Sequence, residues 1–234
     1  MCDPEGPIAH SAQCVYRNAL FLSYMAYKAM VDGDSHPKAI EMVAKIPGIF
    51  QEDWMDDLTL DLAEQRFVNA PFGTLKQQQR AEASWLTERM AVLAWALGIA
   101  ELPPFYHLVH APKVSTTLGI FQPGAKERVA KAKLRHPDDV VMAAKTYSAL
   151  YWRLSEHIKD PNPIDFYNRM LDPENHHLTV DGLQFHEGDL AINGVPLNQL
   201  PEEKLGLTCS IVFQRYKELR WLLGLNGVNP QLLQ

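Results

Sequence analysis

Along most of this chain apolar side chains recur at steps of three and four, the period of an α-helix with one face turned inward. The densest run is Glu82 to Phe105, where Leu86, Met90, Leu93 and Leu97 form one stripe and Trp85, Ala94 and Trp95 widen it. So broad an apolar surface predicts a mostly buried central helix, stopped near Gly98 and barred from continuing by Pro103-Pro104. Ser11 to Val31 repeats Val15, Ala19, Leu22, Ala26 and Ala29, which predicts a first helix ended by Asp32-Gly33-Asp34. Ser35 is expected to cap a short helix from Pro37 to Lys45, closed by Pro47-Gly48. A weaker helical pattern covers Thr59 to Val68, and a loop over 69–73 leads to the central helix.

Beyond the central run the pattern breaks. Pro103 to Pro123 is apolar but aperiodic and is expected to form an extended or irregular crossover. A short charged helix over Lys126 to Leu134 follows, and Arg135-His136-Pro137-Asp138-Asp139 opens a long one, with acids where they complement the helix dipole. Its stripe of Val140 (or Val141), Ala144, Tyr147, Tyr151 and Leu154 predicts a helix to about Lys159, stopped by Asp160-Pro161-Asn162-Pro163, with a shorter helix over Ile164 to Leu171. From His177 to Leu197 the period changes. Asp181-Gly182 and Asn193-Gly194 are dipeptides of tight turns with positive φ, so a β-hairpin or three short strands are expected there. Pro201-Glu202-Glu203 begins a last long helix with Leu207, Ile211, Val212, Phe213, Tyr216, Leu219 and Leu222 on a broad apolar face, ended by Gly224 and Gly227.

Composition narrows the function classes. The chain has 234 residues, is 47% apolar and carries a formal charge of −6, which suits a packed domain and lacks the basic excess of a nucleic-acid binder. Its three cysteines, Cys2, Cys14 and Cys209, are far apart and without CxxC spacing, an arrangement that fits free thiols in a reducing compartment. The opening MCDPEGPIAHSAQ has acids and a proline where a signal peptide needs positive charge and an apolar run. With no long apolar segment either, a cytoplasmic protein with no membrane partner is expected.

Three segments, in order, resemble one family. Trp85-Leu-Thr-Glu-Arg-Met-Ala-Val-Leu-Ala-Trp-Ala-Leu-Gly-Ile-Ala-Glu-Leu-Pro is similar to the central helix of the domain of unknown function 4272. Leu134-Arg135-His136-Pro137-Asp138-Asp139-Val140 running into Tyr151-Trp152-Arg153 resembles a second helix of that family, with the Trp and Arg order rearranged. Gly188-Asp189-Leu190-Ala191-Ile192-Asn193-Gly194-Val195-Pro196 and Gln214-Arg215-Tyr216-Lys217-Glu218-Leu219-Arg220-Trp221-Leu222-Leu223-Gly224 resemble its strands and closing helix. The chain departs from the family pattern at Gln214, where an acid is common, and at Glu218, where a small residue is. The resemblance spans about 39–227, leaving 1–38 as an N-terminal helix packing on it, and implies a mostly helical bacterial protein without implying an activity.

Candidate chemistry is sparse. GxSxG, P-loop, GxGxxG and HExxH motifs are absent. His107 and His110 have metal-like spacing, with His136 or Glu101 as a conceivable third ligand, but the surrounding prolines argue against a helix that would align them. His176, His177 and His186 flank the first expected strand. Cys14 and Cys209 sit among apolar helical neighbours and read as inert thiols. Arg89, Arg153 and Arg215 each interrupt an apolar helical face, and a buried guanidinium needs a partner. Ion pairs with Glu82, Glu88 or Glu218 are the plain expectation; the sharper one is a shared anion pocket of these arginines lined by Trp95, Trp152 and Trp221.

The sequence therefore predicts a single mainly α domain over 1–234, built around a buried central helix, with a small β-hairpin before the C-terminal helix. The functional expectation is a non-enzymatic interaction protein of bacterial immunity or regulatory type, needing no metal or cofactor. The alternative is a small-molecule or anion-binding protein or enzyme using Arg89, Trp95, Trp152, Arg153, Arg215 and Trp221. A homodimer covering the apolar stretch Phe105 to Phe121 is a third expectation.

Overall fold

Helical periodicity accounts for most of the architecture in the computed structural model, which describes residues 7–55, 58, 60–175 and 177–225. The chain divides into two compact units, one built from His10–Leu102 and Val109–Arg135, the other from 7–9, Pro103–Leu108 and 136–225.

In the first unit the helix α1 (Ala12–Val31) is buried along most of its length, capped by the Ser11 hydroxyl accepting from the Cys14 N–H. Short helices α2 (Pro37–Ile49), α3 (Leu62–Asn69) and α4 (Gln77–Ser84) lead to α5 (Leu86–Ala96), whose Met90, Val92, Leu93 and Ala94 are fully buried. Two further short helices, α6 (Ala111–Leu118) and α7 (Ala125–Ala130), pack against α1.

Expected boundaries shift for local reasons. The single central helix is two helices broken at Trp85, whose N–H bonds to Glu82 three residues back, as does that of Glu88 to Trp85. The hydroxyls of Ser84 and Thr87 bond back to the carbonyls of Ala81 and Ser84, the competition that bends helices. His36 rather than Ser35 caps α2, and Pro47 lies within its last turn, where one lost N–H is tolerated. Thr59 lies outside the described residues; α3 starts at a capping box between Asp61 and Glu64. The irregular crossover contains α6, because Pro112 falls in a first turn, where its missing N–H costs nothing, and His110 caps it. The prolines read there as breakers act as a start signal.

In the second unit α8 (Pro137–Lys159) packs on α10 (Glu202–Leu222), with Tyr151 stacked on Tyr216 at 4.7 Å. Between them in sequence stand α9 (Phe166–Met170) and an antiparallel sheet of order β1-β2-β3, with β1 (Gln184–His186), β2 (Asp189–Ile192) and β3 (Val195–Pro196). Phe185 pairs with Leu190, and Ile192 with Val195 across the Asn193-Gly194 turn, where both residues take the expected positive φ. Asp181-Gly182 makes a turn entering β1, and the β1–β2 turn falls at Glu187-Gly188. Among the described residues no helix is long and apolar enough to cross a membrane.

Candidate ligand cleft in the first unit

Among the described residues the first unit carries a cleft of about 770 Å³. Met42, Lys45 and Ile49 of α2 form one wall, Glu52 and Trp54 follow in the next turn, and Tyr24 of α1 and Phe121 complete it. That volume lies within the range typical of small-molecule sites.

Phe121 owes its position to an unusual backbone. Its φ is +57°, a left-handed conformation disfavoured for a bulky side chain by roughly 1–2 kcal/mol. The conformation places the ring edge-on to Tyr24 at 4.9 Å and to Tyr27 at 5.1 Å, joining a cluster that reaches Phe50 and Phe21. Arg128 fixes the loop, donating from Nη1 to the Pro123 carbonyl (2.8 Å) and from Nη2 to those of Gly119 (2.9 Å) and Gln122 (3.3 Å). Gly119 itself has φ +76°, and a Cβ there would sit 2.7 Å from Cζ of Arg128, so only glycine fits.

Polar groups converge on the same walls. The Phe121 N–H donates to the Tyr24 hydroxyl at 3.3 Å, and the hydroxyl's own proton has no partner among the described residues. Burial pushes the Tyr24 hydroxyl above the ordinary tyrosine pKa, only partly offset by the Phe121 N–H and by Arg128, so it stays a neutral donor. The Trp54 indole N–H donates to Glu52 (2.7 Å), and Arg17 Nε holds the Trp54 carbonyl at 2.5 Å. Lys45 is paired with Glu41, while Lys126 and Glu127 at the rim have no ion pair among the described residues. Aromatic walls, one buried hydroxyl donor and both signs of charge at the mouth equip the cleft to bind a small molecule.

The residues singled out from sequence lie elsewhere. Arg89 and Trp95 belong to the first unit; Trp152, Arg153, Arg215 and Trp221 to the second. Arg153 is fully buried and donates to Asp189 through Nε (2.6 Å) and Nη2 (2.5 Å), a carboxylate other than those expected. Arg215 donates to the carbonyls of Pro103, Pro104 and His107 and to the Tyr147 hydroxyl. Trp152 stacks on Phe166 at 5.8 Å and meets the Arg169 guanidinium at 5.0 Å, and Trp95 lies beneath Arg135. Trp221 is half-buried on α10.

The histidines find structural work. His36, His110 and His136 each cap a helix with Nδ1, His-Pro or His-x-Pro being the shared start. Among the described residues no three His, Cys, Asp or Glu side chains come together to hold a metal; His176 and Cys2 lie outside them. Cys14 and Cys209 are free thiols, Cys209 with its pKa raised by burial and Cys14 with Sγ 4.0 Å from Nδ1 of His10.

The cleft escaped the sequence reading because its parts come from α1, α2 and a loop. The only local signal was the glycine pair around Ile-Phe-Gln-Pro in Gly119–Gly124.

A family model described as Domain of unknown function (DUF4272) matches residues 3–168, more than two thirds of the chain. The chain belongs to this family. The family match takes in the N-terminal helix, the whole cleft and α8, and it ends before the sheet and α10, which carry the third resembling segment. No curated protein and no solved structure matched the chain.

Proposed function

We propose that the protein binds a small, largely apolar or aromatic molecule with a polar end in the cleft between α2 and the 119–127 segment. The observation that carries this is Phe121: left-handed backbone on a bulky residue, locked by Arg128 to form a cleft wall, is the strain found at ligand clamps. The free donor of Tyr24 would fix the polar end, and the balanced rim charges favour neither cations nor anions. A bacterial, cytoplasmic setting fits the free thiols of Cys14 and Cys209.

The reading is tested by screening metabolite fractions for compounds that raise the melting temperature. A binder weakened about tenfold by Phe121→Ala or Trp54→Ala supports it. Binders indifferent to both substitutions, or none across the fractions, refute it.

A second reading, a protein partner of immunity or regulatory type, draws on Tyr167 (43% exposed) and Leu171 (60%), four residues apart in the second unit. Co-purification with the tagged protein should then recover a stoichiometric partner that Tyr167→Ser/Leu171→Ser loses. Recovery of the chain alone, as monomer or homodimer by light scattering, contradicts it.

A further inference from the structure

Charge in this chain is unevenly placed. The chain totals −6, yet the ten residues 126–135 hold five cations (Lys126, Arg128, Lys131, Lys133, Arg135) and a single acid, Glu127. Arg135 is accounted for: its Nε donates to the Trp95 carbonyl (2.6 Å) and its Nη2 to Glu101 (2.7 Å). The side chains of Lys131 and Lys133 have no ion pair or hydrogen bond among the described residues.

Those two lysines, with Arg128, line a recess of about 450 Å³ in the first unit, separate in its walls from the aromatic cleft except at Glu127. Its hydrogen-bonding inventory is one-sided. The Tyr16 hydroxyl donates to the Leu118 carbonyl at 2.9 Å and the Thr117 hydroxyl to Lys113 at 2.9 Å, so both protons are spent. The unspent donors are cationic: the exposed ammonium groups of Lys131 and Lys133, beside the charge of Arg128, whose own Nε is buried. A neutral or cationic ligand would leave such donors unmatched, whereas an oxyanion accepts from all of them.

Ligand charge and size follow from the same groups. Three cations and one carboxylate leave a net +2 in the recess, matching the roughly −1.5 to −2 of a phosphomonoester near neutral pH. The volume exceeds what a phosphate group needs, and Leu97 and Ile99 supply apolar wall for an organic body. We infer that this recess is a second binding site, one for small organic phosphomonoesters. It does not depend on the cleft reading, and its ligand would enter beside the same arginine that fixes the cleft loop.

The test uses the full chain titrated calorimetrically at low ionic strength with inorganic phosphate and glycerol 3-phosphate. Expected is saturable binding, tighter for the ester and weakened by salt. Lys131→Ala/Lys133→Ala should weaken it about tenfold or more. Lys131→Arg/Lys133→Arg should retain it. Lys38→Ala/Lys204→Ala removes the same charge elsewhere and should change affinity less than about twofold. All four lysines are exposed, so these variants should fold. Phe121→Ala should bind the ester as the parent does. Absence of saturable binding, equal loss in the two alanine pairs, or loss on Phe121→Ala would each overturn the assignment, the last by moving the probe into the cleft.

Discussion

The Arg153 guanidinium and the Asp189 carboxylate meet through two parallel hydrogen bonds of 2.6 and 2.5 Å, their side chains only 1% and 8% exposed. Asp189 also accepts from the backbone N–H groups of Leu190 and Ile164. The pair thereby ties α8 to the first residue of β2 and to the approach to α9. Arg153→Met or Asp189→Leu alone strands a buried charge and should cost about 3–5 kcal/mol in urea unfolding. The double replacement should cost less than the sum of the two. Strict additivity would mean the pair is not coupled in solution.

Acid should act on this pair at a definable pH. Burial pushes the Asp189 carboxyl up, but the Arg153 and backbone hydrogen bonds more than offset it, and the net pKa lies below the ordinary aspartate value. The folded state then binds the proton more weakly than the unfolded one. Its contribution is complete above the unfolded value of about 3.9 and is lost as pH falls through the lower folded value. Unfolding curves from pH 6 down to pH 2 should show this loss in the parent and not in the double replacement.

His157 lies one turn after Arg153, only 5% exposed, with Nδ1 buried and without a hydrogen-bond partner among the described residues. Burial first, and then Arg153, lower its pKa, against the weaker opposing pull of Asp189 and Asp160. The unfolded chain therefore takes up the proton first, so stability should begin to fall as pH drops below the unfolded value of about 6.5. His157→Gln should abolish the slope between about pH 6.5 and the lower folded pKa while leaving the more acidic step of Asp189. A slope unchanged in the variant would assign that titration to another group.

Lys28 in the last turn of α1 and Asp32 just after its end hold a single loop. Lys28 donates to the carbonyls of Val68 (2.6 Å) and Ala70 (2.7 Å), and Asp32 accepts from the N–H groups of Gly73 (2.8 Å) and Leu75 (3.0 Å). Asp32→Ala should cost about 1–3 kcal/mol by leaving these groups unmatched. Hydrogen exchange at Gly73 and Leu75 should accelerate well before global unfolding. Protection equal to that of the parent would show that the loop is held by other means.

Backbone strain at the cleft can be measured by comparing two substitutions. Phe121→Ala keeps the left-handed backbone on a residue with a Cβ, while Phe121→Gly relieves it; both lose the ring. Glycine should therefore be the more stable by about 1 kcal/mol, the reverse of the usual ordering. Gly119→Ala should destabilise by more than this, since it adds the same strain and a 2.7 Å approach to Arg128. If alanine proves the more stable at 121, the strain argument for the cleft fails.

Helix positions were legible because helical packing is written in spacing. The stripe of Val15, Ala19 and Leu22 and that of Val140, Ala144 and Tyr147 both lie buried as their period requires. Asn193-Gly194 was legible for a steric reason, positive φ at both turn residues. Helix ends were less so, because proline both starts and stops helices: Pro112 begins α6 within a stretch read as irregular.

What the sequence determined by itself was the mainly helical class, the small sheet before the last helix, and the rule that each cation on an apolar face must find a partner. Which partner was decided by tertiary structure. Lys28, Arg128 and Arg215 all donate to main-chain carbonyls, and a carbonyl is carried by every residue alike, so no spacing or composition marks the acceptor. The cleft depends on the same hidden chemistry, since Phe121 becomes a wall only when Arg128 gathers the carbonyls of a loop around it.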